Sequence, residues 1–391
     1  MAVENWVAKE IDALVAFRHD LHRHPELLYD VHRTAAKVAE ALRAAGVDEV
    51  HEGIGRTGVV GVIRGQTNLS RRTIGLRADM DALPIAEETG AAWTSTVPGK
   101  MHACGHDGHT TMLLGAARHL AESRAFDGTV VVIFQPAEEG GAGARAMIED
   151  GLFTRWPCDE VYGMHNRPGL EVGRFAIAPG AIMGSVDEVR ITISGRGGHA
   201  GRPHATLDPL PVAAAVIQSV QTLCSRTIDP IDSATVSLCT IHAGDAFNVI
   251  PRDVTITGTV RTLREEVRDH IEARLTQMVE GIAAGCGAVG RVDYIRHYPV
   301  TVNHAAETEK AAAAARAVAG EGNVTTDMPP TLGGEDFSFM LNEVPGALIN
   351  IGNGPSAGLH HPEYDFDDEA IGWGCSYWIS LVRQRLPLSA A

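Results

Sequence analysis

Apolar residues along this chain fall into two rhythms. Over residues 34–46, TAAKVAEALRAAG, they recur at helical spacing and close on Gly46, and the opening MAVENWVAKEIDALVAFRHD interrupts its apolar positions with Glu4, Lys9, Glu10 and Asp12 in the same period. Two amphipathic helices are therefore predicted first. Short apolar runs follow, GVVGVIRG, RTIGLRAD, GTVVVIFQPA and DEVYGMH, and between and after them HTTMLLGAARHLAES and GARAMIEDGL return to the helical period. Strands alternating with helices predict an α/β fold with a mixed, mostly parallel sheet flanked by helices.

From about Ser185 the pattern changes to strand (VDEVRITISG), helix (DPLPVAAAVIQSVQTLCS), strand (SATVSLCTIHAG), strand (RDVTITGTVRTL), helix (EEVRDHIEARLTQMVEGIAAG) and strand (GRVDYIRHYPVTV). This β-α-β-β-α-β order is that of a ferredoxin-like α+β unit. A chain of 391 residues exceeds what one core usually serves. The reading is a catalytic domain over residues 1–184, an inserted lid or dimerisation domain over 185–300, and the return of the first domain over 301–391, through helix AAETEKAAAAARAVAG, a Gly-rich GGEDFSFM turn, strand PGALINIG and a last helix.

Composition narrows the function. The charge of -16 and the lack of a Lys/Arg run argue against nucleic acid as a partner, and no apolar stretch nears the roughly 20 residues that span a bilayer. The N-terminus shows no signal-peptide pattern, and the six cysteines have no CxxC pair or disulfide-framework spacing, which points to the cytoplasm. Five of them sit among small or apolar neighbours, where a free Cys is expected as a buried hydrophobe. Cys104 is different.

MHACGHDGHTTM packs His102, Cys104, His106, Asp107 and His109 into eight residues just ahead of a helix. Thiolate, imidazole and carboxylate are the donors that borderline metals take. FQPAEEGGAGA places Glu138 and Glu139 beyond the end of an apolar strand, where α/β sheets hold their ligands, so one Glu can bind metal while the other moves protons. His165 in GMHN, Asp79 and Asp81 in RADMDALP, and His360 and His361 in GLHHPEYDFDDE repeat the pattern at other strand ends. So many donors exceed one tetrahedral Zn²⁺ and suit two metals about 3.5 to 4 Å apart. GGAGA and GRGGHAG lack the Lys-Ser/Thr ending and the spacing of a nucleotide loop.

The set HACGHDGH, PAEEGGAGA, GMHN, SGRGGHAGRPH, FNVIP and GLHHP, in this order over nearly the whole chain, resembles the M20 metallopeptidase family, in its branch of hippurate hydrolases, N-acyl-amino-acid amidohydrolases and auxin-conjugate hydrolases. The resemblance implies metal ligands at Cys104, His106, Glu139, His165 and His361, Glu138 as general base, and Asp81 as a supporting acid. Relatives outside the branch carry a ligating His where this chain has Asp79, so Asp79 is not carried over as a ligand. In the lid, His199 matches a residue that stabilises the oxyanion, often from the partner subunit, and Asn248 a substrate-contacting position. Arg261 is a guanidinium suited to a substrate carboxylate or to a salt bridge within the lid. His19, His22 and His24 read as capping or packing residues.

The expected reaction is hydrolysis of the amide bond of an N-acetyl, N-benzoyl or arylacetyl amino acid to a carboxylic acid and a free amino acid, with two divalent ions (Mn²⁺ or Zn²⁺, alternatively Co²⁺ or Ni²⁺) and a homodimer or higher homo-oligomer formed through the lid. A dipeptidase or carboxypeptidase of the same fold is the alternative. A binding protein that has lost catalysis is disfavoured because Glu138 stands beside the ligand positions.

Overall fold

In the computed structural model, which describes residues 4–388, the chain divides into two compact units. The first runs to Gly180 and takes up Val302–Pro329 and the chain from Asp336 onward; the second is Ala181–Thr301 with Pro330–Glu335. Residues Met1 to Val3 of the predicted opening helix lie outside the described residues.

The first unit is built on an eight-stranded sheet. Its centre is four parallel neighbours, in the order Thr129–Gln135, Thr73–Asp79, Glu160–Arg167 and Gly346–Gly352. Antiparallel strands Gly58–Arg64 and Glu49–Ile54 extend one side, and the short pieces Phe175–Ala176 and Val324–Thr325 the other. The central strands read as continuous β-branched and aromatic runs because both faces are covered: Val130 to Phe134 are at most 1% exposed. Burying each such Val, Ile or Phe contributes about 1.5–3 kcal/mol, which fixes the register of the strand ends. The expected α/β fold with a mostly parallel sheet is the fold the chain adopts.

Helices Asn5–Arg23, His32–Ala44, His106–Ser123, Ala305–Ala319 and Glu369–Arg385 belong to this unit. In His32–Ala44 the buried Ala35, Val38, Ala39 and Leu42 follow the predicted stripe. The alanines of Ala305–Ala319 do more than favour helix. Ala311, Ala312, Ala314 and Ala315 are fully buried, and the Ser380 hydroxyl of the last helix donates to the Ala314 carbonyl at 3.0 Å.

The second unit has its own core and a four-stranded antiparallel sheet. Its strands Ala234–His242, Asp253–Thr262, Val186–Ser194 and Val289–Tyr298 lie in that order, so in chain order the sheet reads 2-3-1-4, with helices Pro209–Val220 and Glu265–Gly285 between strands. This is the arrangement of a split β-α-β unit. Two expectations need correction. Of the five cysteines read as buried only Cys375 is, since Cys239 and Cys286 are exposed and Cys158 and Cys224 half-buried. Strand Glu49–Ile54 was not predicted, because EVHEGI carries polar residues on an edge that is half open to water. No helix among the described residues is long and apolar enough to cross a membrane.

Candidate metal centre

Because the four central strands are parallel, their carboxyl ends lie along one edge of the sheet, and each delivers a candidate side chain there. Asp79 closes one strand, Gln135 leads into Pro136–Glu139, His165 stands near the end of the third, and the chain beyond Gly352 returns to His360. Into this edge the loop of Cys104 feeds helix His106–Ser123. Gly105 turns it with φ +82°, and any side chain there would come within 2.4 Å of the Asn166 amide and the Tyr364 hydroxyl.

Donor atoms of Cys104, His106 and His165 lie within 4.8 Å of one another, as do those of Cys104, Glu139 and His360, and those of His106, Glu138 and Glu139. Cys104 Sγ is 3.5 Å from His165 Nε2. His165 Nδ1 lies 2.7 Å from the Asn166 carbonyl, an acceptor only, so it carries the proton and Nε2 presents its lone pair to the cluster.

The structure corrects the C-terminal member. Both side chains are about half exposed, but His361 Nδ1 lies 4.0 Å from Glu363, whereas His360 Nε2 lies 3.2 Å from Glu139 Oε1 beside Cys104. The cause is local backbone. His360 has φ +65°, a left-handed value that a non-glycine residue holds only when its surroundings impose it, and its N–H donates to the Ala103 carbonyl at 2.8 Å. Pro362 disfavours the helical region for His361 before it, which does not by itself say which of the two rings turns inward. Ala137, just ahead of Glu138, shares this strain with φ +54°.

Asp81 is fully buried and accepts the Glu138 N–H at 2.9 Å and the Glu139 N–H at 3.1 Å, while its Oδ1 faces His106 Nδ1 at 3.6 Å. It thus fixes the turn carrying both glutamates. Asp79 is spent elsewhere: Arg77 Nη1 donates to Oδ2 at 2.8 Å, and His109 Nδ1 lies 2.7 Å from Oδ1. His109 Nε2 in turn accepts the Asn166 N–H at 2.8 Å, so in a nearby trio of Asp79, His106 and His109 both Asp79 oxygens and both His109 nitrogens already have partners. Sequence reasoning listed His109 only as a possible metal donor and passed over Arg77 and Asn166, whose bonds to Gln135 and to His109 join residues far apart in sequence.

The electrostatics of the cluster call for positive charge. Burial works against a charged His106 ring, yet Asp79, Asp81 and Glu139 outweigh it and hold its pKa up to about 10. Burial, with Glu139, Glu138 and Asp79 nearby, pushes the Cys104 thiol well above its usual range. Both His106 ring nitrogens are buried with no hydrogen-bond partner among the described residues, and buried Glu139 Oε1 faces His360 Nε2 at 3.2 Å. Buried polar atoms without partners, on Cys, His and Glu side chains that converge, fit divalent cations as the missing partners.

Behind the loop, His22 is fully buried and lies 2.8 Å from Asp107, which also takes Arg18 Nε at 2.7 Å; His19 lies 2.7 Å from Asp368, and His24 Nδ1 2.8 Å from the Asp20 carbonyl. These three keep packing and capping roles. His199, Asn248 and Arg261 belong to the second unit. His199 is exposed and pairs in register with Val249, and the Ala200 N–H donates to the Asn248 carbonyl at 3.1 Å, so His199 and Asn248 share one end of that unit. Arg261 is half-buried and has no ion pair among the described residues.

The profile of Peptidase family M20/M25/M40 matches residues 75–384. The chain is 41% identical over 369 residues to the hippurate hydrolase of Campylobacter jejuni, covering 94% of this chain and 95% of that one. It is 38% identical over 370 residues to an N-acetylcysteine deacetylase of Bacillus subtilis, covering 94% and 96%. Among solved structures, the Bacillus subtilis YXEP protein, a dinuclear metal binding peptidase of the M20 family, superposes with a TM-score of 0.85 at 34% identity, covering 97% of this chain and 99% of that one.

Proposed function

The chain belongs to the peptidase family M20/M25/M40 and is a metal-dependent amidohydrolase acting on carbon–nitrogen bonds of a small molecule, and on that premise we propose that it cleaves N-acylated amino acids. The acyl groups proposed are acetyl, benzoyl or arylacetyl, and the products are a carboxylic acid and a free amino acid. The similarity to a hippurate hydrolase and to an N-acetylcysteine deacetylase supports this, since both names denote an acyl group on an amino acid.

The observation that carries the reading is the meeting of Cys104, His106, Glu139, His165 and His360 at one sheet edge, with Glu138 beside them. Those five residues would hold two divalent ions, Mn²⁺ or Zn²⁺, with Co²⁺ and Ni²⁺ as alternatives. When bound, such ions supply Lewis acidity, lowering the pKa of water and polarising a carbonyl. Glu138 takes a proton from the attacking water on its carboxylate and delivers it to the leaving amine, so the chain needs no covalent acyl intermediate. Asp81 keeps Glu138 in place through the backbone bond at 2.9 Å. From the second unit, His199 stabilises the oxyanion, Asn248 contacts substrate and Arg261 is one candidate for its carboxylate. The second unit serves as lid and as the contact of a homodimer or higher oligomer, in the cytoplasm.

The test is amine release from N-benzoyl, N-acetyl and indole-acetyl amino acids, with simple dipeptides alongside, before and after chelation. Cleavage of the acylated amino acids that a chelator stops is expected. Cleavage of dipeptides alone would replace this reading with a dipeptidase.

A further inference from the structure

The strand that delivers His165 ends two residues later in Arg167, and residues two apart on a strand leave the same face, about 7 Å apart. Arg167 is half-buried, yet no carboxylate pairs with it among the described residues. Its guanidinium abuts the thioether sulfur of Met328, a residue 7% exposed. A second donor meets the same sulfur: the Asn350 amide nitrogen lies 3.4 Å from it. Asn350 is the register partner of His165 on the neighbouring parallel strand, so all these groups border the metal cluster.

A thioether is a weak acceptor, whereas a guanidinium is permanently charged and shaped to take two oxygens at once. Two strong donors converging on one weak acceptor leave most of their hydrogen-bonding capacity unused. Met328 is unbranched and can turn away at little cost. The ligand chemistry that uses both donors is a carboxylate.

We infer that Arg167, with Asn350 beside it, binds the α-carboxylate of the acylated amino acid and makes this enzyme prefer free acids over neutral amides. The inference rests on the amidohydrolase reading above. It assigns to the first unit a specificity that the sequence offered only to Arg261. The spacing suits it, because the scissile carbonyl of an N-acyl amino acid and its carboxylate are separated by only a few bonds.

The experiment compares N-benzoylglycine with its neutral carboxamide, following benzoate release by the metal-loaded protein. Its readout is the ratio of kcat/KM for acid over amide. Wild type should favour the acid, and Arg167→Gln should lower that ratio about 10- to 100-fold, mainly through KM, as expected for the loss of a charge-assisted bidentate contact. Arg167→Lys should restore part of it, and Asn350→Ala should lower it by a smaller factor. Metal content, measured on every variant, separates a carboxylate role from damage to the cluster. An unchanged ratio in Arg167→Gln, or a loss shared equally by acid and amide, overturns the inference while leaving the amidohydrolase reading intact, as does a ratio that only Arg261→Gln moves. If wild type cleaves neither compound nor any other acylated amino acid, the amidohydrolase reading fails and takes this inference with it.

Discussion

The strand Glu160–Arg167 starts at a buried acid, Glu160, and delivers His165 to a cluster of acids and histidines near its other end, and the acids at the two ends are balanced in opposite ways. At its start Glu160, 4% exposed, accepts from Arg72 at 2.5 Å, Lys310 at 2.8 Å, Arg385 at 3.0 Å and the Tyr162 hydroxyl at 2.8 Å. Burial alone would raise its pKa, but the bonds from Arg385, Lys310 and Tyr162 hold it well below the usual carboxylate range. At the other end Glu139 and Asp81 have neither Arg nor Lys as a partner; they face His106 and His360 beside a thiol. A buried acid supplied with its own cations is a staple of the fold. One left without them is prepared for a cation that is not part of the chain.

Substitutions at the two ends should separate accordingly. Glu138→Gln removes the proposed proton carrier and leaves the ligands, so kcat should fall about 10²- to 10⁴-fold with metal content unchanged. Activity within a few-fold of wild type would remove Glu138 from its role. His360→Ala should lower kcat/KM by more than about 100-fold and reduce bound metal, because losing a ligand costs more than losing its support, whereas His361→Ala should keep both. The reverse result would restore His361 as the ligand. Asp81→Asn weakens the hold on the Glu138–Glu139 turn and should cost about 10- to 100-fold in metal affinity, read by calorimetric titration of the metal alone.

Glu160→Gln is the smallest effect on catalysis. It should leave kcat and metal content near wild type and cost about 1–3 kcal/mol in denaturant unfolding, since its cationic partners are partly exposed and screened. The pH dependence has a definite sign. A carboxylate whose pKa is depressed on folding contributes stability that is complete above its ordinary value of 4.5 and is lost as pH falls below it toward the folded value. Wild type should therefore lose stability more steeply than Glu160→Gln below about pH 4.5. Parallel curves would show that the cationic cage does not hold this end of the strand.

The sequence makes the repeating parts of this molecule legible and hides those that depend on distant partners. The helical stripe of His32–Ala44 and the bounds of Glu265–Gly285 follow from local period, and so does the β-α-β-β-α-β order. The local density of HACGHDGH and the Glu138–Glu139 pair marked the site because the donors are neighbours in sequence. Choosing between His360 and His361 needed the positive φ that aims one ring inward, which residue type does not reveal. Asp79 was not carried over as a ligand from the resemblance, but what it does instead, holding Arg77 and His109, needed the structure. Arg167 is one more arginine until the absence of an acid around it is seen.

The claim on which all of this rests is that the edge formed by Cys104, His106, Glu139, His165 and His360 takes two divalent ions and that catalysis depends on them. The direct measurement is titration of the chelated protein with Mn²⁺ or Zn²⁺, following bound metal per chain and amine release from an N-acyl amino acid in the same samples. The account predicts no turnover without metal and full turnover at two ions per chain. Turnover that survives complete chelation, or that is complete without metal bound at these residues, would contradict it.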